Sequence, residues 1–171
     1  MEIAPTVRSS WFAQLDPGDL FIVDDGTGSY VALAVKDPSA TEKMALLLGP
    51  ASPAVPKVPI LTNLPQMRVV SFGKDYKLRL PCDSRRWFAA EPPDESSCLV
   101  LAEDKPYLRA LYGYAPQVTR CYIGVQDGVL LMDASHSRFA RPSRDCAYTS
   151  DWAFLTSERD AREIISSPPA P

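Results

Sequence analysis

The chain's single histidine, His136, sits in its densest polar run, Asp133-Ala134-Ser135-His136-Ser137-Arg138. An imidazole titrates near neutral pH and a carboxylate can orient it, so His136 with Asp133 could perform general acid–base chemistry beside a hydroxyl or thiol nucleophile. No G-x-S-x-G elbow accompanies the pair, and spacing along a loop does not set geometry. The plainer expectation is a loop histidine hydrogen-bonded to Asp133 or to solvent. Arg138, Arg141 and Arg144 recur every three residues around Pro142. A polyproline II backbone has three residues per turn, so it would line all three guanidinium groups along one edge, a strip suited to phosphate or carboxylate. From Arg120 to Cys146 four arginines meet three aspartates, which neutralises most of that strip.

The element that must carry this loop is a β-hairpin. Asp127-Gly128 supplies the two positive-φ residues of a type I′ turn. That turn predicts Val125 opposite Leu130, Ile123 opposite Met132 and Cys121 opposite Ala134 on an apolar face. On the other face Tyr122 stands opposite Asp133 and leads into His136. The sequence therefore nominates Arg138, Arg141, Arg144 and Tyr122 for binding, with His136 and Asp133 as the catalytic alternative. Cys121, on the apolar face, is expected in the core and is set aside as a nucleophile.

Other motifs carry less. Asp24-Asp25-Gly26-Thr27-Gly28-Ser29 lacks the alternating ligands of a calcium loop and the lysine of a P-loop, and reads as a hairpin loop. Arg85-Arg86-Trp87-Phe88 mixes cations with aromatics, as single-strand binders do. As a single instance in an acidic chain, it reads better as a packed tryptophan rimmed by arginines. Cysteines 82, 98, 121 and 146 form no CxxC pair, and one histidine cannot complete a zinc set, so free thiols and no metal or cofactor are expected.

Along the rest of the chain, Asp16-Pro17-Gly18-Asp19 is a turn and Leu20–Val23 a buried strand. Tyr30–Val35 follows as a strand with Val31, Leu33 and Val35 on one face and Ala32 and Ala34 on the other, where something must pack closely. Residues 39–50 carry both a capping-box pattern and the alternation Met44, Leu46, Leu48; a strand completing a meander is the reading adopted. Five prolines at 50–65 predict an extended crossover. Met67–Phe72 and Tyr76–Leu80 read as a second hairpin, and Cys98–Ala102 as a strand. Asp104–Gly113 reads as a helix with an early Asp, Pro106 and a terminal glycine. Trp152–Leu155 is a last strand, Ser157-x-x-Asp160 opens a short helix anchored by Ile164 and Ile165, and the tail at 166–171 frays.

With 171 residues, 46% hydrophobic and 23% charged, the composition is that of one ordinary globular domain. The 17 prolines favour many short elements. The expected architecture over 1–171 is mainly β: a partly open barrel or sandwich of about eight short antiparallel strands with one to three short helices. A net charge of −3 argues against nucleic acid, and no apolar run long enough to span a membrane, nor a signal-like start, is present, which reads as cytoplasmic. The function expected is a non-enzymatic binding or protein-interaction module for a protein partner or small anionic ligand, acidic or phosphorylated. A small hydrolase or transferase with His136 as general base is the alternative.

Overall fold

The computed structural model describes residues 7–24, 26, 28–50, 59–89, 98–112, 119–132, 146–156 and 163–166. Fourteen strands lie among them: β1 Arg8–Trp11, β2 Leu20–Asp24, β3 Ser29–Lys36, β4 Lys43–Pro50, β5 Ile60–Thr62, β6 Arg68–Gly73, β7 Tyr76–Arg79, β8 Leu99–Ala102, β9 Lys105–Tyr112, β10 Thr119–Gly124, β11 Leu130–Met132, β12 Cys146–Thr149, β13 Ala153–Thr156 and β14 Glu163–Ser166. Helical structure among the described residues is limited to two three-residue 3-10 turns, Phe12–Gln14 and Ser84–Arg86. No described helix is long and apolar enough to cross a membrane.

Eleven strands form one open sheet, ordered β1-β6-β2-β3-β4-β5-β9-β10-β11, with β8 beside β9 and β12 beside β8. A three-stranded sheet, β14-β13-β7, stands apart. The mainly β expectation holds. The large sheet is not closed into a barrel, the strands outnumber the expected eight, and the pairing is mixed because β5 runs parallel to β9.

The meander β2–β3–β4 forms as the alternation of its side chains dictates. Val31, Leu33, Val35, Met44, Leu46 and Leu48 join one interior cluster, while Ala32, Ala34 and Ala45 line the opposite face. There the 3-10 turn at Phe12–Gln14 lies close, with Phe12 tilted against Phe21 at 5.6 Å, and small alanines let it approach. Lys43 holds this turn by donating from Nζ to the carbonyls of Ala13 (2.8 Å) and Leu15, orphan acceptors at its end.

Four sequence expectations change. Residues 68–73 and 76–79 are both strands but do not pair with each other: β6 joins β1 and β2, and β7 joins β13 in the small sheet. Gly73-Lys74-Asp75 is therefore a crossing between sheets. The helix expected at 104–113 is the strand β9, paired with β8 through a two-residue turn at Glu103-Asp104, both at positive φ (51° and 60°). The type I′ turn thus occurs here. Pro106 fits at the end of the β9–β10 ladder, where its carbonyl still accepts from Val125 N–H (3.1 Å) and only the donor that proline lacks is missing. Glu163–Ser166, expected in a helix, is the strand β14, and part of the Pro-rich crossover, Ile60–Thr62, is a strand shared between β4 and β9.

Both sheets bury one interior. Leu20 and Leu33 from the meander, Leu108 and Ile123 from the other half, and Trp152 and Phe154 from the small sheet's side belong to the same cluster. Tyr76 packs edge-on to Phe154 at 5.2 Å and directs its hydroxyl to the carbonyls of Gly18 (2.8 Å) and Val125 (2.9 Å). Burial raises its phenol well above the ordinary range. Those carbonyls belong to a junction where the Asp16–Asp19 turn, β3 and the tip of the β10–β11 hairpin meet backbone to backbone. Gly18 N–H donates to Ala34 O and Lys36 N–H to Gly128 O, each at 2.8 Å. A Cβ on Gly18 would come within 2.7 Å of Gln126 O, and one on Gly128 would collide with Gly18 N, so both positions require glycine.

Candidate interaction surface

The β10–β11 hairpin forms, with its register displaced by two residues from expectation: Cys121 faces Met132, Tyr122 faces Leu131 and Ile123 faces Leu130. Gly124 N–H bonds Val129 O (3.0 Å), leaving a four-residue loop in which Gly128 alone has positive φ. Asp127 instead accepts from Val129 N–H through Oδ1 at 3.0 Å. A slip of two keeps every side chain on its expected face. Cys121 lies in the interior, its thiol pushed up to about 12 by burial, which leaves no thiolate to act as a nucleophile near neutral pH.

Tyr122 moves from the expected surface to the core. It is fully buried in a cluster with Cys98, Val100, Tyr107, Cys146 and Tyr148, and Leu131 rather than Asp133 stands opposite it. Asp133, His136, Arg138, Arg141 and Arg144 lie outside the described residues. The arginine beside Tyr122 is Arg109, fully buried in the cross-strand row Cys98, Arg109, Tyr122, Leu131. Sequence reasoning missed it because the helix assigned to 104–113 hid the alternation that puts Tyr107 and Arg109 on one face and Leu108 and Ala110 on the other. The Asp24 loop behaves as a hairpin loop, with Oδ1 accepting from Gly26 N–H at 2.9 Å. Trp87 packs against the interior and donates from Nε1 to Pro81 O (3.0 Å), while Arg86 pairs with Asp151, matching the packed-tryptophan reading. All four cysteines are free thiols. Among the described residues no group of three potential ligands could hold a metal.

A surface that sequence reasoning did not nominate lies at the β1 end of the large sheet. Antiparallel pairing sets Trp11 opposite Arg68 and Ser9 opposite Val70. The Arg68 guanidinium lies 5.2 Å above the indole centroid, a cation–π contact worth about 0.5–1 kcal/mol at an exposed site. Trp11, Val7 and Val70 are 43%, 45% and 40% exposed, so this face presents an aromatic and two branched apolar groups around one cation. Deeper in the same face, Ile22 and Phe72 are partly buried against the interior cluster. β1 is also the terminal strand of the sheet. Phe12 N–H donates to Met67 O (2.9 Å), toward β6. By the alternation of an antiparallel ladder, Ser10 and Arg8 turn their backbone groups the same way, and Ser9 and Trp11 turn theirs outward. Gln14 Oε1 accepts from the outward Trp11 N–H at 3.3 Å. The opposite side of β1 borders a cavity of about 480 Å³, where Asp16, Asp19 and Asp75 offset Arg8 and Lys74.

No family model, no curated protein and no solved structure matches this chain. Its chemistry is therefore argued from its own residues.

Proposed function

We propose that this chain is a non-enzymatic binding module that recognises an acidic or phosphorylated protein partner. The observation that carries the reading is the Trp11–Arg68 stack on an exposed apolar face at the open end of the sheet. Tryptophan and arginine dominate the energetics of protein interfaces, and an exposed apolar group of this kind marks an interaction surface. What supports a negatively charged partner is that the Trp11 side of β1 and β6 carries Arg68 and no carboxylate. The segment bearing Arg138, Arg141 and Arg144 is proposed as a second anion contact on the strength of its residue spacing; in sequence it follows β11, which ends at Met132, and precedes β12, which begins at Cys146.

The test is a titration of fluorescein-labelled glutamate-rich and phosphoserine peptides with the native chain, read by anisotropy. The expected result is salt-sensitive binding that weakens at least tenfold in Arg68→Glu and in Trp11→Ala. Equal affinity for a lysine-rich peptide would remove the acidic-partner reading. For the loop, phosphate should raise the melting temperature of the native chain and not that of Arg138→Ala combined with Arg141→Ala. The same shift in both would take the loop out of the proposal.

A further inference from the structure

Resting on the acidic-partner reading, we infer that the partner binds by strand addition, an extended acidic segment pairing with the open edge of β1 so that its carboxylates lie over Trp11 and Arg68. The backbone supplies the means. Among the described residues the outward N–H and C=O of Ser9 have no strand beside them in the sheet order, whereas the outward N–H of Trp11 is occupied by the Gln14 amide. The free stretch therefore centres on Ser9, and the amide of Gln14 stops a pairing strand at Trp11. Main-chain bonds to such an edge give affinity, and the alternate side chains of the added strand give selectivity.

Charge chooses the occupant. On the side of Trp11, the exposed residues of β1 and β6 are Val7, Ser9, Val70 and Arg68, with one cation and no carboxylate. On the side of Arg8, the three acids of the neighbouring cavity outnumber its two cations. An added strand thus meets a positive face and a slightly negative one. A segment with acids at every second position satisfies both, because alternate residues of a strand share a face. A second copy of β1 would instead bring no carboxylate to Arg68, since neither β1 nor β6 carries one.

An alternating Glu-Thr octapeptide, its Lys-Thr counterpart and a Glu-Thr peptide N-methylated at alternate backbone nitrogens test this against the full chain. Ser9→Pro removes an outward N–H without touching the β1–β6 ladder, and proline is tolerated at such an edge position. The Glu-Thr peptide should bind, and binding should fall at least tenfold in Ser9→Pro and, with the native chain, on N-methylation. Arg68→Glu should reverse the preference toward Lys-Thr. The N-methylated peptide keeps the test independent of how Ser9→Pro folds. If N-methylation and Ser9→Pro leave affinity unchanged while Arg68→Glu abolishes it, strand addition fails and the acidic-partner reading stands. If no Glu-Thr binding occurs, or if it is indifferent to Arg68→Glu, both fall. Sedimentation of the native chain as a dimer that Ser9→Pro converts to monomer would assign the edge to a second copy and overturn the acidic occupant.

Discussion

In the half of the large sheet made by β1, β6, β2, β3 and β4, the outer face is alanine-rich, with Ala32, Ala34 and Ala45 packed under Phe12 and Leu15. In the half made by β5 and β8 to β12, the outer face carries Tyr107, Tyr122, Tyr148, Cys98, Cys146 and the buried Arg109. Both faces are buried, by opposite means. The first buries no charged group and closes mainly by shape, so its tolerance to added volume is small. The second takes in a guanidinium, a group almost never fully buried unless paired, so its integrity depends on polar partners. The contrast separates the two kinds of surface this molecule builds: outer faces devoted to packing or to a buried polar arrangement, and a sheet end, at β1, left open.

The comparison breaks most sharply at Arg109. Arg109→Ala should cost about 3–5 kcal/mol in urea unfolding, because it strands the groups that partner a buried charge. A loss below about 1 kcal/mol would mean that the second face is held by its tyrosines alone. On the first face, Ala34→Leu should cost about 1–3 kcal/mol by overpacking under Phe12, and a neutral outcome would show slack there. Between the two outer faces lies the interior, where Cys121 titrates near 12 against an ordinary value of 9.0. Between those two pH values the unfolded chain has lost that proton and the folded chain retains it. Stability is therefore full below pH 9 and falls by about 1.4 kcal/mol per pH unit above it. Compared with the native chain, Cys121→Ala should flatten this alkaline decline, and parallel pH curves would contradict it. The smallest effect is at the β8–β9 turn. Asn at 103 with Gly at 104 relieves an αL penalty of roughly 1–2 kcal/mol per residue, less the ~0.5–1 kcal/mol entropic cost of glycine. Glu103→Asn with Asp104→Gly should thus raise stability by about 0.5–1 kcal/mol.

The same two halves differ in what the sequence discloses. In the meander each strand pairs with its chain neighbour, so the alternation at 31–35 and 44–48 was enough to place every side chain on its face. In the other half β5 finds β9 and β8 finds β12, partners distant in sequence, and local pattern does not encode such pairings. Residues 105–112 show the limit. Tyr107, Leu108, Leu111 and Tyr112 fit a helical stripe as well as a strand apolar on both faces, and Asp104 and Pro106 are good helix starters. Three strands beside β9, β8 and β10 antiparallel and β5 parallel, decide for extension, and with it the placement of Arg109. Asp127-Gly128 failed as a type I′ turn for a tertiary reason too, since Gly128 is held against Gly18 and β3. The exposed face at β1 was legible only in part: Trp11 is visible in the sequence, but Arg68 joins it through a pairing with a residue 57 positions further along the chain.

The glycine junction also bears on how the protein is made. Gly18 leaves the ribosome about 110 residues before Gly128, so at about 5–20 residues per second the first turn and the meander wait roughly 5–20 s for the hairpin tip that closes against them. During that interval Lys36 N–H, later bonded to Gly128 O, and Gly18 O, later bonded by the Tyr76 hydroxyl, face solvent, and the alanine face depends on the nearby Phe12 turn for cover. Vectorial synthesis therefore favours a core whose first half is covered by its own N-terminal residues, as this one is.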